Sequence, residues 1–154
     1  MDMEKMEQFA IIGIAVRTTN ENEQATQDIP ALWNRFFSEK VAEHIPGKTD
    51  DTVYCVYTDY EKDHTQPYTV ILGCRVPDLD HIPDGMTGKM IPAATYSKHT
   101  AKGNLAENVI YHEWIKIIQA GLPRTFTADF EVYGEKAMNP AAVEVDIFIA
   151  VKQP

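Results

Sequence analysis

Basic residues are scarce in this 154-residue chain, which has 14 Lys and Arg against 23 Asp and Glu and a formal net charge of −9. Binding to nucleic acid or to an anionic membrane surface depends on a basic face. The charge therefore argues against direct contact with either. It is compatible with a cationic small-molecule partner, although many proteins are acidic for solubility alone.

Long hydrophobic runs and cysteines are scarce too. The apolar stretch FAIIGIAV, which begins at Phe9, is too short to span a membrane and has the wrong flanks for a signal peptide. The two cysteines, Cys55 and Cys74, lack metal-type spacing and lie in strand-like runs that we expect to form one hairpin. We interpret them as reduced core thiols of a cytoplasmic protein.

Motifs that would indicate metal or nucleophilic chemistry are missing. The five histidines form no H-x-x-x-H pair and no cluster with metal-ligand spacing. No Ser, Cys or Lys nucleophile motif stands out, and the segment GMTGK lacks the spacing of a phosphate-binding loop. We therefore expect no metal and no other cofactor.

The first half of the chain has the pattern of a strand, a helix and a hairpin. A strand is predicted over residues 8–18, followed by a helix over residues 29–45 with Asp28 as its N-cap and Pro30 in its first turn. Leu32, Phe36 and then Val41 or Ile45 share one helix face. Two strand-like runs, residues 51–60 and 66–76, form the expected hairpin.

The second half repeats this order. After a loop over residues 77–89, a strand is predicted over 90–103, a helix beginning at Asn104, and two more strands over 125–135 and 143–151. Each helix carries a tryptophan near its middle, Trp33 or Trp114. The pattern predicts a duplicated βαββ unit, with repeats at about residues 6–78 and 88–152 of one domain that covers 1–154.

A duplicated unit of this kind predicts an α+β fold. Neither half is long enough to bury its sheet face alone. Together they are expected to form a largely antiparallel sheet of two SH2-like repeats, with both helices packed on it. A cleft between the two repeats is then the natural place for a ligand.

The segment FTADFEVYG, residues 126–134, poses a question about that cleft. Alternation places Phe126, Phe130 and Val132 on one face of a strand, and Glu131 and Tyr133 on the other. Periodicity favours a solvated Glu131, since a glutamate on a strand usually faces water. The sequence leaves open which face of the sheet carries the cleft.

An ordered set of segments resembles the gyrase-inhibitor-like effector-binding domain family. The segments are IPALWNRF, YTVILGCRVPD, IPAATYSKHTAKG, VIYHEWIKI, FEVY and VEVDIFIAV, and the resemblance covers nearly the whole chain. It is similar in particular to the stand-alone form, one member of which is encoded by an integron gene cassette. Relatives that act on promoters carry DNA-binding helices, and this chain shows none.

The resemblance implies a small-molecule sensor or sequestering protein with an aromatic cleft. In relatives that bind cationic amphipathic drugs, the acidic residue of the F-E-x-Y strand lies at the cleft floor, and Glu131 holds that position here. Desolvation in such a cleft would raise the pKa of Glu131. A hydrophobic or cationic small molecule is the expected partner.

Two alternatives stay open at this point. One is a hydrolase of small esters or amides that uses Glu131 as general base, since some relatives are described as hydrolases. The other is a protein-interaction module, with a protein partner or a second copy of the chain. No catalytic residue is assigned, because no partner acid or nucleophile is evident.

The candidate ligand-binding set joins Glu131 to the aromatic residues that the repeats would bring to the cleft. Tyr133 shares the face of Glu131, and Trp33 and Trp114 are the expected walls. Tyr54 and Tyr57 lie on opposite faces of their strand, so at most one of them faces the cleft. The set is Glu131, Tyr133, Trp33, Trp114, Tyr54, Phe37, Tyr96 and Tyr111.

Overall fold

The computed structural model describes residues 2–153 and confirms the predicted fold class. An eight-stranded antiparallel sheet carries two α-helices on one of its faces. The strands are β1 Asp2–Met6, β2 Phe9–Thr18, β3 Val53–Thr58, β4 Tyr68–Val76, β5 Thr87–Ile91, β6 Ala94–Gly103, β7 Arg124–Tyr133 and β8 Val143–Val151; the helices are α1 Ala25–Ser38 and α2 Val109–Gln119.

The strand order is symmetric about the middle of the sheet. It runs β1-β6-β8-β7-β3-β4-β2-β5, so β3 and β7 are neighbours at the centre and each half has the same sequence of elements. The outermost strands are exchanged, because β1 precedes β2 in the chain but pairs with β6, whereas β5 precedes β6 but pairs with β2. This order is the one that two βαββ units joined through β3 and β7 would produce.

The two edge strands were not expected from the sequence as they occur. β1 lies in the charged N-terminal segment, and four of its five residues are exposed. β5 and β6 form two strands where one was predicted over residues 90–103. The edge strands β1 and β5 pair with strands that lie far away in the chain, so local patterning carries little information about them.

Helix α1 begins earlier and ends earlier than predicted. It starts at Ala25, whose N–H donates to the Thr19 carbonyl, and it ends at Ser38, where Lys40 takes a left-handed conformation before a short 3₁₀ turn. Asp28 is inside the helix and accepts a hydrogen bond from the Thr18 hydroxyl. Pro30 is also inside it, and not in its first turn.

Asn104 begins the second helical segment as predicted, but it caps a 3₁₀ turn. Its side chain accepts a hydrogen bond from the Ala106 N–H. Asn108 then adopts φ 56°, and α2 starts at Val109.

The helix face of the sheet holds two apolar clusters. Leu32 and Phe36 of α1 pack on β2, β3 and β4, and Ile117 of α2 packs on Ile147 and Ile149 of β8. The helix stripe predicted from the sequence, including Val41 and Ile45, is buried here.

The opposite face is buried as well, although neither helix contributes to its core. Phe9 of β2 meets Phe130 of β7 with ring centroids 5.2 Å apart, across the two intervening strands β3 and β4. Strands in a sheet are about 4.8 Å apart, so the sheet curls towards this face. Phe148 of β8 lies on this face too and is only 7% exposed.

Two facing glycines permit close approach of β2 and β4. Gly13 and Gly73 are directly opposite each other, and a Cβ on Gly13 would lie 1.9 Å from the Leu72 carbonyl oxygen. A side chain there would collide with backbone, which cannot move aside cheaply.

Among the helices of residues 2–153, none has both the length and the apolar character needed to cross a membrane.

Candidate functional site

Glu131 occupies the middle of the sheet. It lies on β7 directly opposite Cys55 of β3, where the two halves of the molecule join. Its side chain points to the helix face, since Tyr133 and Cys55 belong to the cluster beneath α1, whereas Phe130 and Val132 belong to the opposite cluster. The question left by alternation is therefore answered, and Glu131 is buried with 2% exposure.

Three neutral donors hold the Glu131 carboxylate. The Tyr57 hydroxyl donates to Oε2 at 2.8 Å, and the Trp114 indole N–H donates to the same oxygen at 2.6 Å. The Tyr133 hydroxyl donates to Oε1 at 2.6 Å. Within residues 2–153, no Lys, Arg or His forms an ion pair with this carboxylate.

The two tyrosine donors are related by the symmetry of the sheet. Cys55 and Glu131 form the central pair, and Tyr57 and Tyr133 each follow one member of it by two residues. The tyrosines therefore approach the carboxylate from opposite ends of the central strand pair. Cys55 is the counterpart of Glu131, so the charge exists in one half only.

Aromatic rings extend the site towards both helices. On the α1 side, Trp33 meets Tyr133 edge to face with centroids 4.8 Å apart, and Phe37 stacks on Trp33 at 5.7 Å. On the α2 side, Trp114 meets Tyr57 edge to face at 5.1 Å. Both tryptophans are half-buried, so each presents part of its ring to solvent.

Burial governs the protonation of these groups. Desolvation raises the pKa of Glu131, and the hydrogen bonds from Tyr133, Trp114 and Tyr57 oppose that rise. Desolvation raises the pKa of Tyr57 and Tyr133 well above the ordinary tyrosine value, with the Glu131 charge adding to the rise. Both hydroxyls therefore stay protonated as donors near neutral pH.

A second buried carboxylate lies two residues away on the same face of β7. Asp129 Oδ2 accepts hydrogen bonds from Arg124 Nη2 at 2.7 Å and from the Tyr60 hydroxyl at 2.5 Å. Asp129 Oδ1 accepts the Ala150 N–H at 2.9 Å. The Arg124 side chain is 5% exposed, so this is a buried ion pair.

A β-bulge in β7 brings Arg124 to Asp129 and interrupts the alternation predicted for FTADFEVYG. The β7–β8 register shifts between Arg124 and Asp129, and Phe126 within this interval has φ 56°. The Phe126 ring packs against Tyr60, and the Arg124 guanidinium lies 4.4 Å from its centroid. Phe126 is thus grouped with the partners of Asp129 and not with Phe130.

The structure brings together five of the eight residues predicted for the site. Glu131, Tyr133, Trp33 and Trp114 are linked by direct contacts, and Phe37 joins them through Trp33.

The other three predicted site residues lie elsewhere. Tyr54 and Tyr96 are on the opposite face of the sheet, in contact with Phe130. Tyr96 has no exposed surface and donates to the Pro92 carbonyl. Tyr111 is 61% exposed on α2 and contacts His112. The alternation of β6 and of the hairpin does not by itself say which tyrosines share the face of Glu131.

Sequence reasoning missed three members of the arrangement. Tyr57, and not Tyr54, faces the carboxylate. Alternation does place Asp129 on the face of Glu131, because the two residues are separated by one position, but no pattern marked it as a site residue. No pattern in the sequence indicated Arg124, since the β-bulge determines the direction of its side chain.

Comparison with known proteins identifies the family to which this chain belongs. Residues 2–151 match the model of a family described as integron-associated effector-binding proteins. In Bacillus subtilis, the YobU protein, whose name marks it as a candidate transcriptional regulator, is 28% identical over 145 residues, covering 92% of this chain and 91% of that protein.

Solved structures give the same result at the level of fold. The integron cassette protein VCH_CASS2 from the mobile metagenome of Vibrio cholerae is 27% identical, with a TM-score of 0.75 over 98% of this chain and 95% of that one. SAV2435, solved bound to tetraphenylphosphonium, has a TM-score of 0.80 at 15% identity, over 98% of this chain and 93% of that one.

Proposed function

Because the chain belongs to the family of integron-associated effector-binding proteins, as its sequence resemblance predicted, we propose that its effector is a lipophilic organic cation bound against Glu131. The observation that carries this proposal is a buried carboxylate with three neutral donors and no ion-pair partner among the described residues.

The energetics of burial favour a cationic ligand over a neutral one. A carboxylate removed from water without a counter-charge is costly even when it is hydrogen-bonded. An organic cation beside Glu131 supplies that counter-charge. The faces of Trp33 and Tyr133 add cation–π attraction of roughly 0.5–2 kcal/mol each where they lie against the charge.

The rings that hold the carboxylate also control access to it. Glu131 is almost fully covered, so a ligand in direct contact with its carboxylate has to displace at least one ring. Both tryptophans of the chain, Trp33 and Trp114, belong to this arrangement. Intrinsic tryptophan fluorescence therefore reports on the site without a label.

The hydrolase alternative gains no comparable support. A glutamate general base needs a water and a proton donor for the leaving group. The tyrosine hydroxyls that contact Glu131 have raised pKa values, which makes them weak acids. The arrangement is suited to holding a negative charge in place.

Titration of tetraphenylphosphonium into the wild type and Glu131→Gln tests the proposal. We expect the wild type to bind with a change in tryptophan fluorescence, and the variant to lose affinity at least tenfold, because it lacks the counter-charge. Triphenylphosphine oxide, a neutral aromatic probe, should bind the two proteins equally well.

The exposed Glu135→Gln, just beyond the end of β7, is the matched control. It removes the same charge and should change affinity less than twofold. Equal binding of tetraphenylphosphonium to wild type and Glu131→Gln would overturn the role of Glu131.

A further inference from the structure

The aromatic residues around Glu131 and Asp129 fall into two halves of one site, and one half already contains a cation. On the α1 side, Trp33 contacts both Phe37 and Tyr133, and no guanidinium or ammonium lies over these rings within the part of the chain that is described. On the α2 side, the Arg124 guanidinium lies 5.9 Å from the Trp114 centroid and 4.4 Å from that of Phe126.

Arg124 has the environment expected of a bound cationic ligand. It lies over two aromatic rings, forms an ion pair with buried Asp129 at 2.7 Å, and its side chain is 5% exposed. Its Nε is buried and has no hydrogen-bond partner among residues 2–153. Its contacts are therefore those of a cation, with two aromatic rings and one carboxylate.

The two halves are joined through one side chain. Trp114 presents its ring to Arg124 and donates its indole N–H to Glu131. Asp129 and Glu131 are two residues apart on the same face of β7, about 7 Å along the strand. A ligand at Glu131 is therefore a near neighbour of the Arg124 charge.

We propose that Arg124 is a specificity-determining residue that occupies the Asp129 half of the site as a built-in cation, so that the site accepts ligands with one positive charge. The proposal rests on the proposed function for the class of ligand. The occupation of the half-site by Arg124 does not depend on any ligand. A second cationic group on a ligand would meet a carboxylate that is already neutralised, and would be repelled by the guanidinium.

Vacating the half-site should reverse this selectivity. Ethidium and propidium share one aromatic cation, and propidium adds a quaternary ammonium on a propyl arm. In Arg124→Gln, an amide N–H remains to bond Asp129 while the counter-charge is lost. We expect the ratio of propidium to ethidium affinity to rise at least tenfold over wild type, and to return to the wild-type value in Arg124→Gln/Asp129→Asn.

Arg75→Gln is the matched control for loss of one arginine. Arg75 also stacks on a phenylalanine, Phe9 at 4.8 Å, but on the opposite face of the sheet. Its removal should leave the propidium-to-ethidium ratio unchanged. A ratio that stays at the wild-type value in folded Arg124→Gln would overturn the proposal.

A second measurement does not depend on a drug-like ligand. Millimolar methylguanidinium should raise the melting temperature of Arg124→Ala above the effect of sodium chloride at equal ionic strength, and should not do so for wild type or Arg124→Ala/Asp129→Asn. If Arg124→Ala is recovered unfolded, the same salt should increase the yield of folded protein on refolding.

These experiments distinguish the proposal for Arg124 from the proposal for Glu131. Equal ethidium binding to wild type and Glu131→Gln, together with rescue by methylguanidinium, would overturn the role of Glu131 and leave the Arg124 half-site standing. If methylguanidinium does not stabilise Arg124→Ala, the Arg124 half-site is overturned, whatever the affinities for ethidium and propidium.

Discussion

Asp129 and Glu131 are two buried carboxylates on one face of one strand, yet their surroundings differ in the feature that matters most to a charge. Asp129 is paired with Arg124 at 2.7 Å. Glu131 accepts hydrogen bonds from two tyrosines and a tryptophan, none of which carries a positive charge. Within residues 2–153, one carboxylate has a counter-charge and the other has none.

The difference separates a charge that is balanced within the fold from one that, in our proposal, the ligand balances. A buried ion pair contributes little to stability beyond what apolar residues would supply, but loss of one partner is costly because the other charge is left buried and unpaired. A buried carboxylate without a partner carries that cost in the free protein. The hydrogen bonds to Glu131 reduce this cost, and a cationic ligand would remove it.

The largest expected effect comes from the same chemical change at the two positions. Asp129→Asn leaves the Arg124 guanidinium buried without its counter-charge and should lower the free energy of unfolding by about 3–5 kcal/mol. Glu131→Gln should leave it equal or raise it, since its amide can donate to Tyr133 while its oxygen accepts from Tyr57 and Trp114. Urea denaturation of both variants measures the difference.

Two outcomes would contradict that comparison. A Glu131→Gln variant as destabilised as Asp129→Asn would mean that the Glu131 charge stabilises the fold. An Asp129→Asn variant as stable as wild type would mean that Arg124 does not depend on Asp129.

The contrast between the two carboxylates also shows which parts of the site could be predicted from the sequence. Alternation places Glu131 and Tyr133 on one face correctly, and the family resemblance supplies the reason to expect that face to be buried. The partners of Asp129 depend on a bulge, because φ 56° at Phe126 reverses the local alternation. No propensity rule predicts such a conformation for a phenylalanine.

Non-local pairing sets a second limit. Tyr54 and Tyr57 are equivalent candidates in the sequence, and the β3–β7 register decides between them by placing Cys55 opposite Glu131. The exchange of β1 and β5 between the halves likewise depends on contacts between distant segments. The order of the elements was predictable from local patterning, and the pairing of the edge strands was not.

A smaller effect should appear in the pH dependence of stability. Because burial raises the pKa of Glu131, the folded protein retains this proton at pH values where the unfolded chain has lost it. Wild-type stability should therefore fall as the pH rises from about 4.3, the ordinary glutamate value, through the raised folded pKa. Glu131→Gln lacks this fall, so its stability relative to wild type should increase across that window.

Denaturation of both proteins at several pH values checks this expectation, with Glu135→Gln as the control for one lost charge. Saturating tetraphenylphosphonium should reduce the fall in the wild type, because a cation beside Glu131 favours the charged form. A stability difference that is flat with pH would show that Glu131 titrates alike in both states.

The smallest expected effect concerns the outer end of the α1 half. Phe37 is 64% exposed and stacks on Trp33, whereas Tyr111 is 61% exposed on α2 and contacts none of the rings around Glu131. Either residue changed to alanine should alter the free energy of unfolding by no more than about 0.5 kcal/mol, as is usual for surface substitutions. Phe37→Ala should nevertheless weaken tetraphenylphosphonium binding about two- to fivefold, since it removes a ring that supports Trp33, and Tyr111→Ala should not. Fluorescence titration of the two variants decides the point, and equal affinities would restrict the cation to the inner rings between Trp33 and Tyr133.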